Sequence, residues 1–120
     1  MTTQEVANKV VKLCSEGKFH EALVLYSPEI VSMEAGAPPG QSRESKGLAA
    51  VKAKGEWWSA NHEVHSAKVE GPLVAGSHFT VVFKLDITFK PDGRRFTMEE
   101  VAVYKVADGK IVYEEFFYNM

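Results

Sequence analysis

Apolar residues recur at helical spacing near the N-terminus, as Val6, Val10, Leu13 and Cys14, and predict an amphipathic helix over residues 3–16. Thr2 and Glu5 stand at capping-box spacing in front of it, and Gly17 ends it. The stripe Phe19, Ala22, Leu23 and Tyr26 predicts a second, short helix. Ser27-Pro28-Glu29 then has the form of an N-cap and first turn, too brief to extend before the apolar run Ile30 to Met33. Residues 35–47, AGAPPGQSRESKG, are rich in Gly, Pro and Ser and read as a loop, long enough to be a lid or pocket rim. Ser45 can cap a third helix over 46–60, in which Leu48, Val51 and Trp58 share a stripe and Trp57 lies about a quarter-turn away.

From His62 onward the period changes from 3.6 to 2. Strands are predicted over 62–74, 77–90, 95–107 and 110–119, separated by turns at GPLVAGS, PDG and ADG. Helices followed by an antiparallel meander spell an α+β fold, a curved sheet wrapped over three N-terminal helices. At 120 residues without repeats or a linker, the chain is expected to be one domain over residues 1–120.

Register decides which acids face inward. A bulged turn at Ala107-Asp108-Gly109 sets Tyr104 opposite Val112, Ala102 opposite Glu114 and Glu100 opposite Phe116. Glu100, Ala102, Tyr104, Glu114 and Phe116 then share the concave face. A two-residue Asp-Gly turn would pair Ala102 with Glu115 and turn Glu114 outward; the bulged turn is the preferred reading. A bulged turn at Lys90–Arg94 would place Asp86 beside Met98 and Lys84 beside Glu100, pointing the polar face of that strand into the pocket. A two-residue turn would set Asp86 across from Glu99, where like charges repel, which favours the bulge. Phe79, Val81 and Phe83 would then be free to pack a second subunit, sheet against sheet.

Composition narrows the picture. Hydrophobic content of 45% and charged content of 25% are ordinary for a globular chain. A formal net charge of −2 with scattered basic residues argues against nucleic-acid or anionic-membrane partners. The single cysteine, Cys14, cannot form an internal disulfide, and its helical stripe makes it a small core residue. No signal-peptide pattern opens the chain and no run approaches ~20 apolar residues, so a cytoplasmic location is expected. His62 and His65 in NHEVH fall on opposite faces of a strand, which disfavours a shared metal site. With no phosphate-binding loop and no nucleophile–base pair, neither metal nor cofactor is expected.

The element order and four stretches of sequence resemble the NTF2-like superfamily in its SnoaL-like branch. The stretches are EALVLYSPEIVSMEA, KGLAAVKAKGEWW, EVHSAKVEGPLVAGSHFTVVFKLDITF and RRFTMEEVAVYKVADGKIVYEEFFY. The resemblance spans nearly the whole chain and implies a cystatin-like cone with a deep pocket, commonly dimeric through the sheet. It implies no one activity, because the superfamily holds isomerases, dehydratases, polyketide cyclases and non-catalytic binding modules. Similarity to ketosteroid isomerases would put a general base at Glu34. The tyrosine and protonated acid of their oxyanion hole would fall at Val10 and Ala102, whose side chains donate nothing. One such donor is worth ~3 kcal/mol of barrier, so that mechanism is not expected here.

The candidate catalytic residues are therefore Glu34, His65, Asp86 and Glu100, with Trp57, Trp58, Tyr104, Glu114 and Phe116 as candidate pocket walls. Each has a structural alternative. Glu34 could be a hydrated rim residue, and the aromatics could be core. Glu100 and Glu114 could share a proton or be tied into a network with Lys84, Tyr104 or His65. The function these residues suggest is binding of a small organic molecule in an aromatic and acidic pocket, with metal-free isomerisation, dehydration or cyclisation by acid–base chemistry. The alternative is a non-catalytic ligand-binding or assembly module.

Overall fold

A computed structural model describes residues 1–119. Its first helix, α1 (Thr3–Ser15), is capped as the sequence predicts: the Glu5 N–H donates to Thr2 Oγ1 at 3.1 Å, and the Thr2 N–H donates to Glu5 Oε1 at 3.0 Å. Val6, Ala7, Val10 and Cys14 form its buried stripe. The expected second helix shrinks to one 3-10 turn, Glu21–Leu25. Strand β1 (Tyr26–Met33) begins immediately afterwards and runs through Ser27-Pro28-Glu29. Pro28 is tolerated there because pairing is irregular between Tyr26 and Val31, so no ladder bond misses its absent N–H.

A hairpin follows, with β2 (Glu44–Lys46) set against the end of β1. Ser45 lies in that strand and caps nothing; Gly47, at φ +88°, leads into α2 (Leu48–Asn61). Two α-helices are present among the described residues, so the three-helix expectation is corrected. Strands β3 (His62–Ala75), β4 (His78–Phe89), β5 (Arg94–Ala107) and β6 (Lys110–Phe117) complete one six-stranded sheet, ordered β2-β1-β6-β5-β4-β3. All neighbours pair antiparallel except β1 and β6, which are parallel.

Two registers differ from expectation, with opposite consequences. Asp108 and Gly109 have φ of 51° and 75°, forming a two-residue turn that pairs Ala107 with Lys110. Alone it would turn Glu114 outward. An extra residue, Val112, is bulged out between the pairs Val106–Ile111 and Lys105–Tyr113, which reverses the alternation again. Tyr104 therefore faces Glu114 and Ala102 faces Phe116, two positions from the expected pairing but on the expected side.

The β4–β5 connection is neither a bulged nor a two-residue turn. Four residues, Lys90 to Gly93, link the paired Phe89 and Arg94, so Asp86 lies opposite Thr97 and Phe83 opposite Glu100. Phe79, Val81, Phe83, Leu85 and Ile87 consequently point inward and are buried. They belong to the core with Val6, Val10 and Ile30, not to a free face for a second subunit. Lys84 and Asp86 lie on the outer side, and Lys84 pairs with Glu70 at 3.4 Å instead of Glu100.

At Gly71, where β3 breaks register between Glu70 and Leu73, φ is +122° and an added Cβ would sit 3.0 Å from the Thr80 carbonyl oxygen. Gly71→Ala is expected to lower unfolding free energy by about 1–3 kcal/mol, read from urea midpoints. Gly40→Ala, whose methyl meets nothing within 4 Å, should lose less; equal losses would show that the β3–β4 contact imposes no constraint.

Candidate functional site

Between α2, the 3-10 turn and the concave faces of β4, β5 and β6 lies a cavity of about 230 Å³. Phe19, Leu23, Phe83 and Phe116 give it apolar walls, and Tyr104 lines it with its ring stacked on Phe79 at 4.6 Å between centroids. A wider hollow of about 860 Å³ opens beyond it, beneath the loop of residues 36–43 and the start of β2. Glu34, Lys54, Trp58 and Glu100 line both spaces and form the waist between them.

A polar thread runs from the inner wall to that waist. Glu114, only 2% exposed, accepts hydrogen bonds from the Tyr26 hydroxyl and from Ser32 Oγ, the latter at 2.7 Å. Ser32 is its direct cross-strand partner on β1, so the parallel β1–β6 pairing brings the two side chains together. Ser32 Oγ in turn accepts from Lys54 Nζ at 2.6 Å. Lys54 donates to Glu34 Oε2 at 3.2 Å, and the Tyr118 hydroxyl donates to Glu34 Oε1 at 3.1 Å. The Lys54 ammonium also stands 5.4 Å from the Phe116 ring centroid.

Three carboxyl groups thus lie near one ammonium, and two of them, Glu100 and Glu114, are withdrawn from solvent. Full ionisation would leave uncompensated negative charge there, which low-dielectric surroundings oppose. Glu100 bears most of the consequence. Loss of solvation, reinforced by the charges of Glu34 and Glu114 and only partly offset by Lys54, pushes its carboxyl up to about 8. Burial also raises Glu114, against the two hydroxyl donors and Lys54, which favour its ionised form. Glu100 is therefore mostly protonated near neutral pH, while Glu34 sits beside a cation. Burial pushes the Cys14 thiol up to about 12, which keeps it unreactive.

Of the residues singled out from sequence, Glu34, Glu100, Glu114, Trp58, Tyr104 and Phe116 meet at this cavity. Trp57 is 56% exposed and lines only the outer hollow. His65 and Asp86 do not reach either space. His65 is exposed and shares a 2.6 Å hydrogen bond with Thr88 Oγ1, while Asp86 accepts twin bonds from Arg95 at 3.1 and 2.9 Å. Those bonds hold the Asp86 carboxyl below its ordinary range. The four-residue β4–β5 loop is the cause for Asp86, and an irregular register between Val64 and Ser66 displaces His65. His62 is the inward histidine, stacked on Trp58 at 4.3 Å. The expected partners of the inner acids, Lys84 and His65, are replaced by Tyr26, Ser32 and Lys54. Lys54 could have been found: it falls three residues after Val51 and four before Trp58, on the apolar stripe of α2. Among the described residues, no three His, Cys, Asp or Glu side chains converge as a metal site.

A raised carboxyl pKa fixes the sign of a pH effect. The folded chain holds the Glu100 proton up to about pH 8, whereas an unfolded chain releases it near 4.5. Folding therefore takes up a proton in that window, and stability falls as pH rises through it. Glu100→Gln removes this loss. Relative to the parent, the variant should gain about 2–4 kcal/mol between pH 4.5 and 8.5, measured by urea unfolding; a constant difference across that range would contradict the assigned burial.

Comparison with known proteins places this architecture. The SnoaL-like domain profile matches residues 1–118. A Mesorhizobium loti protein named as a SnoaL-like polyketide cyclase, with carbohydrate phosphatase as a second term in its name, is 42% identical, with 98% of this chain and 100% of that chain covered and a TM-score of 0.92. A Bacillus subtilis protein named as an isomerase is 20% identical over 99% of this chain and 90% of its own, with a TM-score of 0.78. A Burkholderia pseudomallei NTF2-like protein of unknown function is 16% identical over 98% and 90%, also with a TM-score of 0.78. The last two likenesses show the fold alone. No curated protein matches the sequence. A capped helix, a curved six-stranded sheet and a profile match over almost the whole length lead to one conclusion: the chain belongs to the SnoaL-like family, within the NTF2-like fold.

Proposed function

We propose that the cavity binds a small, mostly apolar carbonyl compound and moves a proton on it, by isomerisation, dehydration or cyclisation without a metal. The observation that carries this reading is the asymmetry at the waist. Glu100 makes no hydrogen bond among the described residues and retains its proton near neutrality, whereas Glu34 accepts hydrogen bonds from Lys54 and Tyr118. Two carboxyl groups set in contrasting surroundings are the ordinary arrangement for an acid and a base in one site.

In that scheme Glu34 removes a proton α to a carbonyl and Glu100 donates one to the oxygen that becomes negative. Lys54 balances the charge of Glu34 and adds an ammonium beside the forming enolate. The donor positions expected from ketosteroid isomerases are occupied by the buried Val10 and Ala102, so Glu100 and Lys54 supply the polar groups. The polyketide cyclase term in the name of the Mesorhizobium loti relative is in keeping with this chemistry, since ring closure by carbon–carbon bond formation begins with such a proton removal.

A second reading rests on a different observation. The thread Tyr26–Glu114–Ser32–Lys54–Glu34–Tyr118 satisfies its own hydrogen bonds without a ligand, as suits a binding module with no turnover. Solvent-deuterium exchange at the α-carbons of 1-phenylbutan-2-one separates the two. The catalytic reading expects protein-dependent exchange, lowered about 10²–10⁴-fold in Glu34→Gln and in Glu100→Gln. Saturable binding with exchange no faster than in buffer would support the binding module instead. Carboxyl ¹³C titration by NMR gives the companion test: Glu100 should titrate near 8, and a midpoint near 4.5 would remove it as the acid.

A further inference from the structure

The two hollows have different characters and a shared waist, and this bears on the shape of the ligand. A dry cavity of roughly 150 Å³ accommodates one benzene ring. The inner space of about 230 Å³ therefore suits one ring with a short substituent. The outer hollow of about 860 Å³ falls in the range of drug-sized ligand sites.

The outer wall also carries a feature that folding leaves unexplained. Trp57 is 56% exposed, beside a cluster in which His62 stacks on Trp58 at 4.3 Å and meets Trp57 edge-on at 6.2 Å. Phe96 and Met98 line the same hollow. An exposed indole with ordered aromatic neighbours, on the wall of a concavity continuous with an apolar chamber, offers a surface for a flat ring.

We propose that the ligand is a two-part aromatic ketone or diketone that spans both hollows. One ring occupies the inner chamber, its carbonyl lies at the Glu34–Lys54–Glu100 waist, and a second planar group lies against Trp57 and Trp58. This rests on the reading that the cavity holds a carbonyl compound, and adds the length, planarity and orientation of that compound. Trp57 then serves as a specificity residue, remote from the reacting atoms.

The probes are 1,3-diphenylpropan-2-one, with a ring on each side of its carbonyl, and 1-phenylbutan-2-one, which lacks the second ring. Affinity is read by ligand-observed NMR on the full chain, with intrinsic fluorescence as a second signal, since Trp57 and Trp58 are the only tryptophans. The two-ring ketone should bind at least about tenfold tighter. Trp57→Ala should reduce that advantage to about twofold while leaving the one-ring ketone within twofold, and Trp57→Phe should largely preserve it. Equal affinities for the two ketones would overturn the proposal, as would a Trp57→Ala variant that weakens both equally or neither. Loss of α-deuterium exchange with the length dependence intact would refute the catalytic reading and leave this inference standing.

Discussion

The structure depends on one buried carboxyl group being accommodated. Glu114 lies at the centre of a sheet whose concave side is otherwise largely apolar, and its two oxygens are taken by Tyr26 and Ser32 of β1. An unpartnered carboxylate in that position would cost several kcal/mol. The parallel β1–β6 pairing is therefore more than a way of extending the meander: it delivers the donors that make the inner face of β6 tolerable. From Ser32 the same chain of contacts reaches Lys54, which ties α2 to the sheet and sets the charge at the waist.

That arrangement explains the uneven chemistry of the site. One ammonium cannot neutralise three carboxyls in a poorly solvated space. The deficit falls on Glu100, which has no donor of its own among the described residues, and there it is met by keeping a proton. Glu34, with Lys54 and Tyr118 as partners, is served differently although it lines the same waist. Burial at Glu100 and two donors at Glu34 thus give two chemically identical side chains different surroundings.

The sequence conveyed the architecture well and the site unevenly. Alternation in β5 and β6 placed Glu100, Tyr104, Glu114 and Phe116 inward, because a two-face sheet leaves each residue only two options. The details came out differently: a two-residue turn and a bulge at Val112 jointly restored the facing that a single bulged turn would have given. On β4 the same logic failed, since a four-residue loop replaced either turn considered, and Asp86 went to the outer side with Arg95. Tyr26 closed a helical stripe in the sequence but begins a strand, so its bond to Glu114 was invisible. Local pattern reports the period of an element far better than the length of the loop that joins two of them.

Helix α2 contributes Lys54, Trp57 and Trp58 to the two hollows, yet Val51 is its only buried residue. Its exposed positions, Trp57 among them, can therefore be exchanged without dismantling the packed centre around α1. On this wall the outer hollow can be reshaped with least disturbance: a change at Trp57 alters what lies against it, while Leu48, Val51, Lys54 and Trp58 keep α2 on the sheet.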